Sequence, residues 1–259
     1  MEVHHHSHNE AKKWNHYLWE FVMLFLAVFC GFLAENFREH NVEKGREKKY
    51  IESMLEDLRR DTANFRFLGE RGRETILSID TLISLLRSTE MENKTSALYY
   101  DARKIIITGF PFEIFDRTYS QMKSSGNLRL LHEKAVADSI TSYYYDVAFL
   151  TSQQDFINKL QMEYIHNVSV VFDAAVFQNM YKDAGLTADF ALQSKASIIP
   201  DPPKNNPPLA DDSKHAIDAL IGSAHFLYGR IIRVKGITLG EKEKAIRLIE
   251  FLEKEYHLK

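Results

Sequence analysis

The chain has few of the residues that build disulfides and cysteine metal sites or that interrupt helices. Among its 259 residues there is one cysteine, Cys30, so an internal disulfide and a zinc site made of cysteines are excluded. No proline precedes Pro111, and no glycine or proline lies between Gly126 and Gly185. Long stretches are therefore free of residues that would break a helix.

Excess positive charge and the motifs of common enzymes are also missing. The formal net charge is -3, so no basic face dominates and nucleic acid is not an expected partner. No phosphate-binding glycine loop, nucleophile elbow or Cys/His pair occurs. Glu163 and His166 have the spacing used in di-iron bundles, but only Asp212 and His215 come near to repeating it. We expect a protein that is not an enzyme and holds no cofactor.

One long apolar run is present near the N-terminus. Residues 21–34 carry no charge, and the 21 residues from Tyr17 to Phe37 are enough to cross a bilayer. Trp14 and Trp19 stand where membrane proteins place an interfacial aromatic belt. The sequence therefore predicts a mobile His-rich tail at 1–13, a transmembrane anchor at 14–37 and a helical bundle domain at 38–259.

Three alternatives to a membrane anchor fit these residues less well. A cleaved signal peptide needs a small-x-small cleavage motif, which does not follow the run. A lipoprotein signal needs a small residue before the cysteine, where Phe29 stands. A core helix of a soluble protein would show one apolar stripe, whereas this run is apolar on every face.

Two stretches after the anchor repeat their apolar residues in steps of four and three, the period of a coiled-coil seam. The first keeps its phase across two glycines, so it predicts one unbroken helix. We expect the two long helices to pack antiparallel along these seams. The first seam is Ile51, Leu55, Leu58, Thr62, Phe65, Gly69, Gly72, Ile76, Ile79, Ile83 and Leu86; the second is Val136, Ile140, Tyr143, Val147, Leu150, Gln154, Ile157, Gln161, Tyr164, Val168, Val171 and Ala175.

The remaining segments complete an all-α fold. Residues 89–127 predict a small helical tip that joins the two long helices, and residues 193–212, with five of the six prolines, predict an extended loop. Two shorter helices follow, one capped by Asp212 or Ser213 and running to about Val234, the other covering about 241–256. The predicted architecture is an N-terminal transmembrane helix, a long antiparallel helical hairpin or coiled-coil-like bundle, and two shorter C-terminal helices.

Two clusters are candidate binding sites. Imidazole is a good ligand for zinc, copper or nickel, so the histidine tail predicts weak metal binding, with a solvated tail that binds metal only adventitiously as the alternative. The tip predicts a partner-binding corner of amides and cations, with a plain corner that has Gly126 at positive φ and Asn127 as a cap as the alternative. The tail residues are His4, His5, His6 and His8; the tip residues are Lys123, Ser124, Ser125, Gly126, Asn127 and Arg129.

Several stretches resemble one family. They are "MEVHHHSH", "WEFVMLFLAVFCGFLAENFREH" and "REKKYIESMLEDLRRDT" in the first 62 residues, and "FDRTYSQMKSSGNLRLL" at 115–131. Together they resemble an uncharacterised family of small single-pass membrane-anchored proteins of Bacteroidetes-type bacteria, a domain of unknown function. The resemblance covers about the first 150 residues. It implies a bacterial source and a membrane anchor, and it carries no catalytic residue to this chain.

The functional expectation is a membrane-anchored helical scaffold, adaptor or sensory module that acts through helix–helix contacts. The alternative is a metal-handling membrane protein that uses the histidine cluster. Expected partners are the lipid bilayer, an unidentified protein and, weakly, a second copy through small anchor residues such as Gly31 and Ala34. Five Lys or Arg residues follow the anchor within 15 residues and two precede it. The resemblance implies a bacterial inner-membrane protein, and this charge balance predicts that its bundle is cytoplasmic, the periplasm being the alternative.

Overall fold

The computed structural model describes residues 14–108, 113–183 and 199–258, and it is helical without a strand in these ranges. This confirms the all-α class. The helices are α1 (Trp14–Leu86), α2 (Thr95–Ile107), α3 (Arg117–Ser124), α4 (Lys134–Val171), α5 (Ala174–Asp183) and α6 (Lys214–Glu255), with short 3-10 turns at Met91–Lys94 and Asn127–Leu130.

The chain divides into two compact units, Met1–Ile51 and Glu52–Lys259, and α1 contributes to both. In the first unit, α1 contains a stretch near the N-terminus that is long and apolar enough to cross a membrane, and none of that stretch is buried. A core helix would be buried, so the core-helix alternative does not describe this segment. The predicted apolar helix is confirmed.

In the second unit, α1 continues without a break to Leu86, as its unbroken phase predicts. Gly69 and Gly72 lie inside the helix. A Cβ at Gly69 would stand 3.9 Å from the side chain of Leu239 on α6, so a small residue lies where α6 approaches α1. The helix accepts two glycines because this part of it packs against other helices and is not isolated in water.

The two long helices α1 and α4 run in the same direction, which corrects the antiparallel pairing expected between their seams. At one end, Tyr143 of α4 donates to Asp61 of α1 over 2.8 Å. Towards the other end, Thr75 of α1 bonds Thr108 just after α2 over 2.9 Å. Gln161 of α4 reaches the same level, because its amide donates to the carbonyl of Ile106 over 3.0 Å.

The antiparallel partner of both long helices is α6. Arg59 of α1 pairs with Glu253 over 2.7 Å, and Lys244 pairs with Asp146 of α4 over 2.6 Å. Farther along α4, the side chain of Asn167 bonds the carbonyl of Ala219 over 3.4 Å. Residue numbers fall along α6 as they rise along α4, so the long antiparallel pair of this bundle is α4 with α6.

The reason for the parallel pairing is the path of residues 89–127, which the sequence predicts as a tip. The 13 residues of α2 travel back along α1 for about 20 Å. The chain then reaches Asp61 and Asp57, where the backbone amides of Phe115 and Thr118 bond their carboxylates. Because the segment returns the chain to this end before α4 starts, α4 must run in the direction of α1.

Two further predictions concern the chain after Val171: the proline-rich loop and the C-terminal helices. The proline-rich loop is extended in its described part, 199–212, where its carbonyls at Pro203 and Pro208 accept bonds from Ser96 and Tyr99 of α2. The two shorter helices expected after it are one helix of 42 residues, α6, capped by Ser213, whose hydroxyl accepts from the Ala216 amide. The helix continues because buried residues keep the same spacing past its glycines: Val234, Thr238, Glu241, Ala245, Leu248 and Leu252.

Candidate functional site

The six predicted tip residues lie together on the surface, at the connection between α3 and α4. Lys123 and Ser124 end α3, and Asn127 and Arg129 belong to the 3-10 turn that follows. Gly126 has φ of 70°, the positive value expected for this corner. Asn127 is not the cap of α4, because a separate turn intervenes and Glu133 occupies that position. The predicted metal residues His4, His5, His6 and His8 lie outside the described residues.

Two buried aspartates hold α3 in place. Asp57 and Asp61 stand one turn apart on α1, with 1% and 0% of their surface exposed. One carboxylate oxygen of Asp57 accepts from both the amide of Thr118, at 2.9 Å, and its hydroxyl, at 2.6 Å. Asp61 accepts from the Phe115 amide and the Tyr143 hydroxyl, both at 2.8 Å. These bonds fix the start of α3 against α1 and α4, and so position Lys123.

The charge of this pair is poorly compensated. Burial raises the pKa of Asp61 to about 6; the bonds from Phe115 and Tyr143 oppose the rise, and the carboxylates of Asp57 and Asp116 add to it. Burial and the Asp61 carboxylate also raise the pKa of Tyr143, so its hydroxyl keeps the proton and acts as the donor. Arg117 stands 3.8 Å from Asp57, but its side chain is 68% exposed and its charge is largely screened.

A groove of about 880 Å³ lies between α3 and α4, beside the tip residues. Its floor includes the stacked rings of Tyr119 and Tyr144, whose centroids are 4.3 Å apart. Lys123 belongs to its wall, so one of the predicted tip residues lines a cavity. The lining residues are Ile114, Asp116, Tyr119, Ser120, Lys123, Leu128, Thr141, Tyr144, Tyr145, Val147, Ala148 and Thr151.

The groove is lined mainly by apolar and aromatic surface. Its walls are apolar and aromatic, with one carboxylate at Asp116 and one ammonium group at Lys123. Neither a histidine nor a cysteine is among its lining residues, so it presents no nucleophile with an adjacent imidazole base. Such a surface can bury apolar area and orient a ligand by charge.

Comparisons with known proteins do not identify a relative. No family model, curated protein or solved structure matches the chain. The resemblance to a bacterial membrane-anchored family therefore stays a prediction.

Sequence reasoning missed the buried aspartates that support the groove. Asp57 and Asp61 are not tip residues, and nothing in their local sequence marks them as a site. Both aspartates have charged neighbours, Glu56 beside Asp57 and Arg60 beside Asp61, so the local pattern favours an exposed position over a buried one. A carboxylate that folding buries is expected to have a specific partner.

The other histidine and carboxylate pairs face solvent. Glu163 and His166 are exposed on α4, and Asp212 and His215 are exposed around the start of α6. The two pairs therefore do not point into the bundle core, where a di-iron site would gather its ligands.

Proposed function

We propose that the protein is a single-pass, membrane-anchored helical scaffold or adaptor that recognises a partner through helix–helix contacts. The observation that carries the proposal is the exposed apolar stretch at the start of α1. Trp14 is 81% exposed and Phe37 is 71% exposed, and the residues between them follow the same pattern. We place the anchor in a bacterial inner membrane, on the strength of the resemblance and the charge balance.

Energetics supports the anchor. Fourteen large apolar side chains between Trp14 and Phe37 are exposed. Moving one such side chain from water to an apolar environment is favourable by roughly 1.5–3 kcal/mol. The unburied stretch is as long as a bilayer requires, and every backbone group within a helix is already hydrogen-bonded. A bilayer is therefore the environment that suits this segment.

The bundle supports a binding role rather than a chemical one. The buried aspartates are occupied in holding α3, and the groove beside them has apolar walls and few charges. A scaffold needs a rigid surface more than it needs reactive groups. The long helices α1, α4 and α6 provide that rigidity, since each contributes many fully buried side chains to one core.

We expect the full chain to float with phosphatidylcholine vesicles and to resist extraction by alkaline carbonate. Replacing both Leu24 and Val28 with arginine should release the protein, because on the scale of membrane insertion each arginine near the bilayer centre costs about 2.5–3.5 kcal/mol, whereas each apolar residue contributes only about 0.3–0.6 kcal/mol. Phe226→Arg, at a 66% exposed position of the bundle, is the control and should still float. A wild-type chain that carbonate extracts would contradict the anchor.

We also expect the bundle to face the cytoplasm, because positively charged flanks of a span tend to stay there. The exposed Asn205 is replaced with cysteine in a chain that also carries Cys30→Ser. A membrane-impermeant maleimide should label this residue only after spheroplasts are lysed. Labelling of intact spheroplasts would instead place the bundle in the periplasm.

A further inference from the structure

We propose that the groove between α3 and α4 is the docking site for one amphipathic helix of a partner protein. The proposal rests on the role in helix–helix recognition stated above and names its surface and the kind of partner. The groove adjoins the predicted tip residues but extends beyond them, because half of its lining residues come from α4.

The length of the groove suits a helix. On α4 its wall runs from Thr141 to Thr151, a rise of about 15 Å, or almost three helical turns. On the α3 side it runs from Asp116 to Lys123, about two turns. A docked helix uses residues i, i+3, i+4 and i+7 as anchors, and these also cover about two turns.

The surface of the groove suits an apolar helix face. Ala148 is exposed and small, so a second helix can approach α4 closely at this point. Tyr145 stands beside it with 77% of its surface exposed, and Phe149, on the same side of α4, is 51% exposed. Exposed rings grouped in this way mark a surface that a partner covers.

The two charged residues at the rim of the groove, Asp116 and Lys123, favour a partner helix that carries both a positive and a negative charge. Asp116 and Lys123 are seven residues apart and both belong to the α3 wall. Lys123 forms no ion pair with any residue in the described part of the chain. A partner helix with a base and an acid seven residues apart can meet both charges at once, whereas two like charges would leave one of them facing its own sign.

The groove is less suited to a small molecule. Sites for small ligands enclose most of the ligand surface. This groove is bounded by only two helices and their connections, and Lys123 and Tyr145 at its edges are exposed. A helix lying lengthwise leaves its polar face in solvent, which is what an open groove requires.

The test uses the full chain in phosphatidylcholine nanodiscs and three fluorescein-labelled helical peptides. The peptides share one leucine face and differ only at two flanking positions seven residues apart, which carry Glu and Lys, two Lys or two Glu. Binding is followed by fluorescence anisotropy, with empty nanodiscs as the reference for binding to lipid. We expect the peptide of mixed charge to bind most tightly.

Two variants separate docking in the groove from other binding. Ala148→Trp fills the groove and should weaken binding of the mixed peptide at least tenfold. Ala135→Trp makes the same change at an exposed position of α4 outside the groove, and should leave binding unchanged. Thermal unfolding followed by circular dichroism checks that both variants are folded.

Lys123→Glu tests the charge argument. It makes both rim charges negative, so the preferred peptide should change from the mixed one to the one with two lysines. The proposal is overturned if no peptide binds, if Ala148→Trp binds as well as wild type, or if Lys123→Glu leaves the order of affinities unchanged. Flotation with vesicles is a separate result, so failure of the docking site is distinguishable from failure of the anchor.

Discussion

Phe65→Asp is expected to destabilise the bundle by about 4 kcal/mol or more, which is enough to unfold many domains of this size. Phe65 is 0% exposed in the core that α1 forms with its neighbours. The substitution removes a large apolar side chain, which alone costs about 3–5 kcal/mol, and places a carboxylate where it has no designed partner. We would measure the loss as a lower unfolding midpoint in urea, followed by circular dichroism of the full chain in mild detergent.

Phe67→Asp is the matched control for this substitution. Phe67 lies two residues away on the same helix but is 45% exposed, with the guanidinium of Arg71 about 4.9 Å from its ring centre. Its substitution should cost less than about 1 kcal/mol, since exposed positions tolerate most changes. Equal losses for the two variants would show that Phe65 does not face the core.

The 3.5-residue period of α1 was predictable from the sequence, but one of its two buried rows was not. Leu58, Phe65 and Ile79 are buried as predicted. The second predicted row begins at Leu55, which is buried, but its later members Thr62, Gly69, Ile76 and Ile83 are only half-buried. The structure instead buries the residues that precede them by one: Asp61, Leu68, Thr75 and Leu82.

Polar partners explain this shift. An apolar pattern favours Ile76 over Thr75 and Thr62 over Asp61, because burying an unpaired polar group is costly. In the fold both of these buried polar residues have a partner from a distant segment: Thr75 bonds Thr108, and Asp61 bonds Tyr143. Those partners are 33 and 82 residues away in sequence, so no local pattern could reveal them.

The direction of α4 was equally hidden from the local pattern. Two matched seams indicate that two helices pack together, but the spacing of apolar residues in a seam is the same for parallel and antiparallel packing. The direction of α4 depends on the path of residues 89–127: a simple turn would make α4 antiparallel to α1, whereas a segment that runs back along α1 makes it parallel. That path is set by the contacts of this segment with Asp57, Asp61 and Thr75 of α1. Of the predicted tip residues only Lys123 lines the groove, and Tyr144 and Ala148 come to it with the direction of α4.

Asp61→Asn is expected to change how stability depends on pH. The pKa of Asp61 is raised to about 6 in the fold from the ordinary value of 3.8, chiefly by burial, so the folded state binds this proton more tightly than the unfolded state. The stabilisation from this proton is fully present below pH 3.8 and is lost as pH rises through about 6. Above that pH the carboxylate is charged and buried, which disfavours the fold by up to about 3 kcal/mol.

Asparagine is neutral throughout this range and keeps much of the local bonding. Its carbonyl can accept from the Phe115 amide, and its amide can donate to the Tyr143 hydroxyl oxygen. The variant should therefore gain stability relative to wild type by roughly 2–3 kcal/mol when both are moved from pH 4 to pH 8. Comparing the two chains at each pH cancels the contribution of carboxylates that lie far from Asp61.

The measurement is urea unfolding of both chains at several pH values between 4 and 8. Asp80→Asn, an exposed change on the same helix, is the matched control and should follow the wild-type pH dependence. A difference between wild type and Asp61→Asn that stays constant with pH would mean that Asp61 does not carry the buried charge. A difference that grows with pH would show that the ionised carboxylate of Asp61 destabilises the fold, although it accepts the bonds that hold α3 beside the groove. The role of Asp61 would then be to position α3 and not to stabilise the core.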